Sequence, residues 1–310
     1  MQQTNRSRHR HMTSFQVISL GFLSVILLGS LLLMLPIATK SGQCTSFLDA
    51  LFTSTSAVCV TGLVINDTAT YWSLFGQGII LLLIQIGGMG IITIAIAIAV
   101  VSGRKIGLMQ RSTMQEAISA PTVGGIVRRT QFIIRTTILI EIIGAALLAP
   151  VFCRDFGFWK GIWYSLFHSI SAFCNAGFDL IGIRTPFSSL TSYSVQPIVN
   201  LVIMALIVAG GIGFLTWEDI KIHKWHFKKY KMQSKVIFMV TGLLIFLPAL
   251  YFFCFEFSNV PLTERVWVSL FQSVTPRTAG FNTADLTLLS EVGQMLIIIL
   301  MLIGGSPGST

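Results

Sequence analysis

Long apolar stretches separated by short polar segments are the dominant pattern of this chain. No formally charged side chain lies between Arg10 and Lys40, or between Asp67 and Arg104. About 20 apolar residues are enough to cross the hydrocarbon core of a bilayer. The pattern therefore predicts an all-α polytopic membrane protein, with spanning helices at 14–36, 77–101, 131–152, 195–216, 236–255 and 292–305.

A shorter pattern lies between these stretches and occurs three times. Each copy begins as an apolar helix and ends with a Gly followed by a large apolar residue. The copies are 51–63, 166–178 and 270–281. Each is too short to span a bilayer and fits a re-entrant half-helix that enters and leaves on the outside. The chain is thus predicted to repeat a unit of outer helix, pore loop and inner helix, as in K⁺-channel-like transporters.

The repeat divides the chain into segments that alternate across the membrane. We expect a basic cytoplasmic N-terminus (1–13), pore unit 1 (14–101), a cytoplasmic loop (102–130), pore unit 2 (131–216), a basic cytoplasmic loop (217–235) and pore unit 3 (236–310). Three quarters of a ring cannot enclose an ion. We therefore interpret the chain as lacking a fourth unit and as C-terminally incomplete.

Composition and charge support the membrane assignment. Hydrophobic residues make up 53% of the chain and charged residues 11%, against about 25% charged residues in soluble domains. The net charge of +9 does not indicate nucleic acid, because with a cytoplasmic N-terminus it follows the positive-inside bias. All Lys and Arg residues then lie inside, except Lys40, Arg154, Lys160, Arg184, Arg265 and Arg277. We expect a multi-pass protein of a bacterial inner or plasma membrane.

The remaining charges allow two interpretations each. Most acids fall outside, where they either form a cation-attracting mouth or belong to ordinary solvated loops. The basic run 221–235 contains interleaved aromatic residues. It either lies against anionic lipid headgroups or docks a regulatory subunit.

The Gly-tipped segments carry the chemistry of ion selection. Rings of backbone carbonyls can replace the hydration shell of K⁺, and Gly supplies the unusual backbone angles this needs. The negative end of the preceding helix further favours a cation. Packing alone is the alternative role, but three copies in register favour conduction. The predicted filter residues are Cys59, Val60, Thr61, Gly62, Cys174, Asn175, Ala176, Gly177, Arg277, Thr278, Ala279 and Gly280.

The inner helices contain a second repeated motif, rich in Gly. In units 1 and 2 the motif lies at 87–93 and 210–216, where small residues favour close helix packing. In unit 3 a Pro among glycines should break the helix at membrane depth. Irregular backbone at that depth is tolerated only where protein buries it or where it lines a water-filled cavity. We predict a gate loop of Gly304, Gly305, Ser306, Pro307, Gly308, Ser309 and Thr310.

The motifs 60–63, 175–179, 277–281 and 304–310 resemble those of the Trk/Ktr/HKT superfamily of K⁺ transporters. The chain is most similar to the Ktr-type membrane subunit, and the match covers nearly its whole length. The resemblance implies four units around one ion path, a filter glycine in each, and a loop that blocks the path below the filter. A Gly at the position of Gly62 resembles K⁺-selective members, whereas a Ser marks some Na⁺-preferring ones.

The resemblance also implies function and partners. We expect potassium uptake across the cell membrane, with contacts to membrane lipid, a homodimer, and a cytoplasmic nucleotide-binding regulatory subunit of the KtrA or TrkA type. No cofactor and no metal beyond the transported K⁺ is expected, and Na⁺ coupling stays open. The alternatives are a Na⁺-permeable or Na⁺-coupled member of the superfamily, or a membrane scaffold or enzyme with re-entrant loops.

Few residues suggest an enzyme. Glu141 lies inside a predicted span, where an acid is a functional candidate by default; we favour pairing with Arg135 or with a polar group of a neighbouring helix. His168 has no nearby acid or second His in the sequence, which favours packing. The five cysteines have no metal-ligand spacing. Arg277 is expected to brace its filter loop, because a guanidinium on the axis would block K⁺.

Overall fold

The structure is a computed structural model that describes residues 13–90, 93, 115, 126–224, 226–306 and 309. These residues form α-helices and short 3₁₀ turns, and they contain no β-strand beyond an isolated bridge between Thr39 and Trp72. The α-helices are α1 (Ser14–Leu33), α2 (Phe47–Val58), α3 (Leu74–Met89), α4 (Ile126–Phe156), α5 (Phe158–Phe173), α6 (Pro197–Gly211), α7 (Phe214–His223), α8 (Met232–Tyr251), α9 (Leu262–Val274) and α10 (Glu291–Ile303). The predicted all-α membrane fold is confirmed.

Three helical segments are long and apolar enough to cross a membrane. They are Phe15–Leu33, Val127–Phe156 and Met232–Glu256, the last formed by α8 and the π-helical turn that follows it. They correspond to the predicted outer helices of the three units. Of the predicted span 77–101, the described part ends as α-helix at Met89, and residues 91–101 other than Thr93 lie outside the described residues.

The second inner helix differs from the prediction of one span over 195–216. Helix α6 ends at Gly211, and α7 leaves it at an angle of 97°. Gly213 allows this bend with a φ of +83°, which side chains on other residues would disfavour. The first residues of the predicted loop 217–235 therefore belong to helix α7. The small-residue motif 210–216, which we interpreted as a helix-packing motif, forms a bend instead.

Each short helix of the repeated pattern (α2, α5 and α9) packs against the outer helix that precedes it. A buried Ser two residues after the pattern's Phe makes this contact in two units. Ser54 donates a hydrogen bond to the Ile26 carbonyl of α1 (2.8 Å), and Ser169 donates to the Glu141 carbonyl of α4 (2.7 Å). Helices α2 and α5 are therefore amphipathic, with a polar face that binds backbone groups of the preceding outer helix.

Helix α3, the inner helix of unit 1, contacts the end of α2 in its own unit and Cys174 in unit 2 through two adjacent glycines. A Cβ on Gly87 would lie 2.1 Å from the Val58 carbonyl oxygen at the end of α2. A Cβ on Gly88 would lie 2.6 Å from Cys174 Sγ of the second copy. Small residues therefore set the distance between the inner helix and the two loops beside it.

A buried acid fixes the basic segment after α7. Asp219 is fully buried and accepts hydrogen bonds from the Lys231 N–H (2.9 Å) and the Ser234 hydroxyl (2.7 Å). The Lys231 ammonium lies 3.6 Å from the same carboxylate. Asp219 thus joins α7 to the start of α8 and turns part of the run 221–235 into a folded segment.

Gly87→Ala should lower the stability of the protein, because its Cβ would overlap a backbone oxygen that cannot rotate away. Overpacking of this kind costs about 1–3 kcal/mol. Gly78→Ala is the matched control on the same helix, since a Cβ there meets nothing within 4 Å and Ala is the better helix former. Thermal unfolding in detergent should show a lower Tm for Gly87→Ala only; equal midpoints for both variants would contradict the close approach.

Candidate ion filter and gate loop

The three Gly-tipped loops are held by the same hydrogen bond. A hydroxyl four residues after the pattern's Phe donates to the carbonyl of the residue that follows the Gly. Ser56 donates to Leu63 (2.7 Å) and Ser171 to Phe178 (2.7 Å). In the third copy Thr275 donates to Phe281 at 2.6 Å. We call Ser56, Ser171 and Thr275 the pin residues.

The backbone carbonyl of each pin residue binds the part of the loop that precedes the Gly. It accepts from the N–H of the residue before the Gly: Thr61 (2.9 Å), Ala176 (2.8 Å) and Ala279 (3.0 Å). One residue at the end of each short helix therefore binds both sides of the loop. The pin residues were missed by the sequence reasoning, although their common offset from Phe52, Phe167 and Phe271 was available as a signal.

All three loops contain left-handed backbone at the Gly. Gly62, Gly177 and Gly280 have φ of +74°, +72° and +80°, which L side chains rarely adopt. Val60 and Asn175, two residues earlier, also have positive φ, and a β-branched residue such as Val is strained there. The third loop is one residue shorter, and none of its residues before Gly280 has positive φ.

Two of the three glycines, Gly62 and Gly177, are in close contact with the next loop. A Cβ on Gly62 would lie 2.4 Å from the Ala176 carbonyl oxygen, and one on Gly177 would lie 2.3 Å from the Ala279 oxygen. Around Gly280 a Cβ would meet nothing within 4 Å. The loops therefore form a directional arc, in which Gly62 and Gly177 each rest on the carbonyl that precedes the Gly of the next unit.

Side chains also connect the second and third loops. Thr278 Oγ1 donates to Asn175 Oδ1 at 3.0 Å, and the Asn282 N–H donates to Ser189 Oγ at 3.1 Å. Cys174, Asn175 and Ala176 are buried in the middle of the arc. Cys59, Thr61 and Gly280 are exposed at its two edges.

The acids near the arc serve mainly as hydrogen-bond acceptors. Asp67 is buried and accepts from the N–H groups of Ala69 (3.0 Å) and Phe187 (3.0 Å), which joins units 1 and 2. Asp285 lies five residues after Gly280, as Asp67 does after Gly62. The Thr287 hydroxyl and N–H hold the pKa of Asp285 below its usual value.

Two acids further from the arc, Asp155 and Glu264, also have polar partners, which argues against an acidic mouth of free carboxylates. Asp155 pairs with Arg184 at 3.0 Å and accepts from the Tyr193 hydroxyl at 2.7 Å. Glu264 accepts from the Ser194 hydroxyl at 2.8 Å. These contacts join the end of α4 and the start of α9 to the loop before α6.

The third inner helix ends below the third loop, as the Gly-rich motif predicts. Gly304 has a φ of +62°. Ser306 then bonds the Gly211 carbonyl of α6 twice, through its N–H (3.1 Å) and its hydroxyl (2.9 Å). Arg277 Nη2 lies 3.4 Å from the Gly304 oxygen. Pro307, Gly308 and Thr310 of the predicted gate loop lie outside the described residues.

Two candidates from the sequence have structural partners. Glu141 is buried and accepts from Gln85 Nε2 of α3 at 2.9 and 3.2 Å. Its partner is thus a polar group of a neighbouring helix rather than Arg135, which is exposed. His168 is fully buried between the Tyr164 carbonyl (Nδ1, 2.7 Å) and the Leu180 N–H (Nε2, 3.3 Å). Glu141 thus joins α4 to α3, and His168 joins α5 to the loop that follows Gly177.

The described residues hold no group of three or more His, Cys, Asp and Glu side chains that could bind a metal ion. What the arc offers instead is backbone oxygen, held in place by the pin residues and approached by the C-terminal ends of α2 and α5. Such an arrangement suits a weakly bound monovalent cation.

Comparison with known proteins places the chain among cation transporters. The chain is similar in structure to the potassium transporter TrkH from Vibrio parahaemolyticus, whose crystal structure it matches with a TM-score of 0.69 and 21% sequence identity. The match covers 99% of this chain and 60% of that one. This likeness supports the fold.

Sequence relatives are closer than the solved structure. The potassium/sodium uptake protein NtpJ of Enterococcus hirae is 41% identical over 306 residues, which are 97% of this chain and 66% of that protein. The Ktr system potassium uptake protein B of Bacillus subtilis is 41% identical over 301 residues, with 95% and 66% covered. The chain thus spans just under two thirds of the length of these relatives. Because the family described as TrkH, cation transport protein, matches residues 1–310, the chain belongs to this family of membrane transporters.

Proposed function

We propose that this chain forms most of the path for potassium uptake across the cell membrane. The observation that carries the proposal is the directional arc of three pinned loops, in which Gly62 and Gly177 each pack on a carbonyl of the next unit. The relatives named as potassium uptake proteins support it. The cation exchanges its hydration shell for backbone oxygens of residues 59–62, 174–177 and 277–280.

Backbone rather than side chains does the coordinating in this proposal. The side chains at equivalent places differ, as with Thr61, Ala176 and Ala279, whereas the Gly and the pin hydroxyl recur. Arg277 braces the third loop against the Gly304 carbonyl. It acts beside the path and not on its axis.

The segment 304–310 is proposed to be the gate below the filter. Its described part is tethered to Gly211, at the bend between α6 and α7, by both hydrogen bonds of Ser306. Opening requires these bonds to break or the bend to move. A movement of α7 on the cytoplasmic side can thereby reach the gate.

The exposed edges of the arc suggest how the assembly is completed. We propose that a fourth unit lies between Gly280 and Thr61 and closes the ring. The charge asymmetry supports a cytoplasmic N-terminus in a bacterial plasma membrane. A homodimer and a cytoplasmic nucleotide-binding regulatory subunit follow from the likeness to Ktr-type proteins, and relatives bear the name Ktr system.

Sodium is the second candidate, as a permeating or a coupled ion. It is favoured by the name of NtpJ, a potassium/sodium uptake protein. Uptake of ⁸⁶Rb⁺ and ²²Na⁺ by the full-length protein in K⁺-uptake-deficient cells distinguishes the two. Uptake of Rb⁺ well above Na⁺ supports the potassium proposal, and equal uptake of the two ions contradicts it.

Gly62→Ala should reduce Rb⁺ uptake by about tenfold or more, since the new Cβ both strains the left-handed backbone and pushes on the Ala176 carbonyl. Strain of about 1–3 kcal/mol is expected, and 1.4 kcal/mol corresponds to a factor of ten. Gly42→Ala is the control, because Gly42 has a similar φ of +71° with nothing within 4 Å of a Cβ. Wild-type uptake by Gly62→Ala, at equal expression, would refute the filter contact.

Ser171→Ala should lower the ratio of Rb⁺ to Na⁺ uptake, because the Phe178 carbonyl loses the donor that fixes its direction. Ser171→Thr should retain the ratio, since Thr275 performs this role in the third copy. Ser165→Ala removes a buried hydroxyl that only bonds its own helix, and it should leave the ratio unchanged. An unaltered ratio in Ser171→Ala would show that the pin does not shape the filter.

Ser306→Ala should increase basal Rb⁺ flux, because one of the two hydrogen bonds that hold the gate loop to Gly211 is lost. A net contribution of about 0.5–1.5 kcal/mol for such a bond predicts a several-fold increase. Flux into proteoliposomes that contain the full-length protein without a regulatory subunit measures it, with Ser24→Ala as the control, because the Ser24 hydroxyl bonds a carbonyl of its own helix α1. Unchanged or decreased flux would remove Ser306 from the gate.

A further inference from the structure

A basic cavity opens where the N-terminal turns of α4 face α7. It has a volume of about 850 Å³ and is lined among others by Arg128, Arg129, Arg135 and Lys221. Arg128 and Arg135 are exposed, and neither forms an ion pair with another of the described residues. The cavity lies at the N-terminal end of α4, a helix that is long and apolar enough to cross a membrane.

The charge inside this basic cavity is not balanced. Glu218 is the acidic residue of its lining, and Glu218 is already paired with Arg129 Nε at 3.1 Å. Among the described residues, Arg129 Nη1 nevertheless has no hydrogen-bond partner, although it is buried. Lys221 lies over the Phe132 ring at 4.3 Å. A buried guanidinium donor without an acceptor is costly, and a bound anion would supply one.

An apolar groove continues from this basic cavity along α4. It has a volume of about 420 Å³ and lies between α4 and α6, with Ile143, Leu147, Leu201 and Ala205 among its lining residues. Gly144 and Ala209 also line it. Apart from backbone, its walls offer nothing to a charged or polar ligand.

One stripe of α4 joins the two spaces. Residues 132, 136 and 139 line the basic cavity, and residues 143 and 147 continue at helical spacing into the apolar groove. The 97° bend after Gly211 explains the second wall: α6 lines the groove, and α7 turns aside to line the cavity. From Arg135 to Leu147 the helix rises about 18 Å, close to the roughly 15 Å depth of one leaflet's hydrocarbon.

We propose that the basic cavity and the apolar groove together bind one anionic phospholipid. The phosphate accepts hydrogen bonds from Arg129 and from the exposed Arg128 and Arg135, and one acyl chain lies along α4 in the groove. A free phosphate would use the basic cavity alone. An amphiphile with one anionic head and a chain as long as a leaflet matches both spaces at once.

Native mass spectrometry of the full-length protein, titrated with dioleoyl phosphatidylglycerol or dioleoyl phosphatidylcholine, tests the proposal. The wild type should retain phosphatidylglycerol preferentially. The double variant R128Q/R135Q should lose apparent affinity by roughly fivefold for each guanidinium removed. The control R154Q/K160Q removes the same charge from exposed residues outside the cavity, near the opposite end of α4, and should bind as the wild type does.

A groove variant separates a lipid from a free anion. Ala205 is exposed in the groove, so Ala205→Phe should fold and still weaken phosphatidylglycerol retention by occupying the path of the chain. Inorganic phosphate at millimolar concentration should not displace the lipid. The proposal is overturned by equal retention of the two lipids, by equal losses in R128Q/R135Q and R154Q/K160Q, or by phosphate competition together with wild-type binding in Ala205→Phe.

Discussion

A loop inside a membrane can present carbonyl oxygens to an ion only if the protein itself holds the rest of its backbone. The pin residues meet this constraint. Ser56, Ser171 and Thr275 each bind one side of a loop through the hydroxyl and the other side through the backbone carbonyl. The left-handed glycines, the close approach of neighbouring loops and the free edges of the arc all depend on loops of this fixed shape.

Much of the architecture could be predicted from the sequence because its causes are local. Apolar runs located the outer helices, and the recurrent Gly after a short apolar helix located the loops. The left-handed backbone at Gly62, Gly177 and Gly280 follows from the same residues. The pin hydroxyls were within reach as well, because aligning the three copies on their Phe places Ser, Ser and Thr at one position.

Other features could not be predicted, because they depend on residues distant in the chain. The Thr278–Asn175 bond, the Gln85–Glu141 bond and the tether of Ser306 to Gly211 join different units. The bend after Gly211 is instructive, since the same motif also reads as helix packing. Which of the two applies is decided by the partners of α7, whose buried Asp219 binds Lys231 and Ser234.

The contact between loops has a direction, and this makes the arc behave as a stack rather than as independent walls. Gly62 rests on unit 2, and Gly177 rests on unit 3. A displacement of one loop is therefore passed to its neighbour in either direction through these contacts, whereas a side chain added at Gly280 would meet nothing within 4 Å. Substitutions of the three filter glycines should therefore differ in how many loops they displace. The width of the path is set jointly by all the loops.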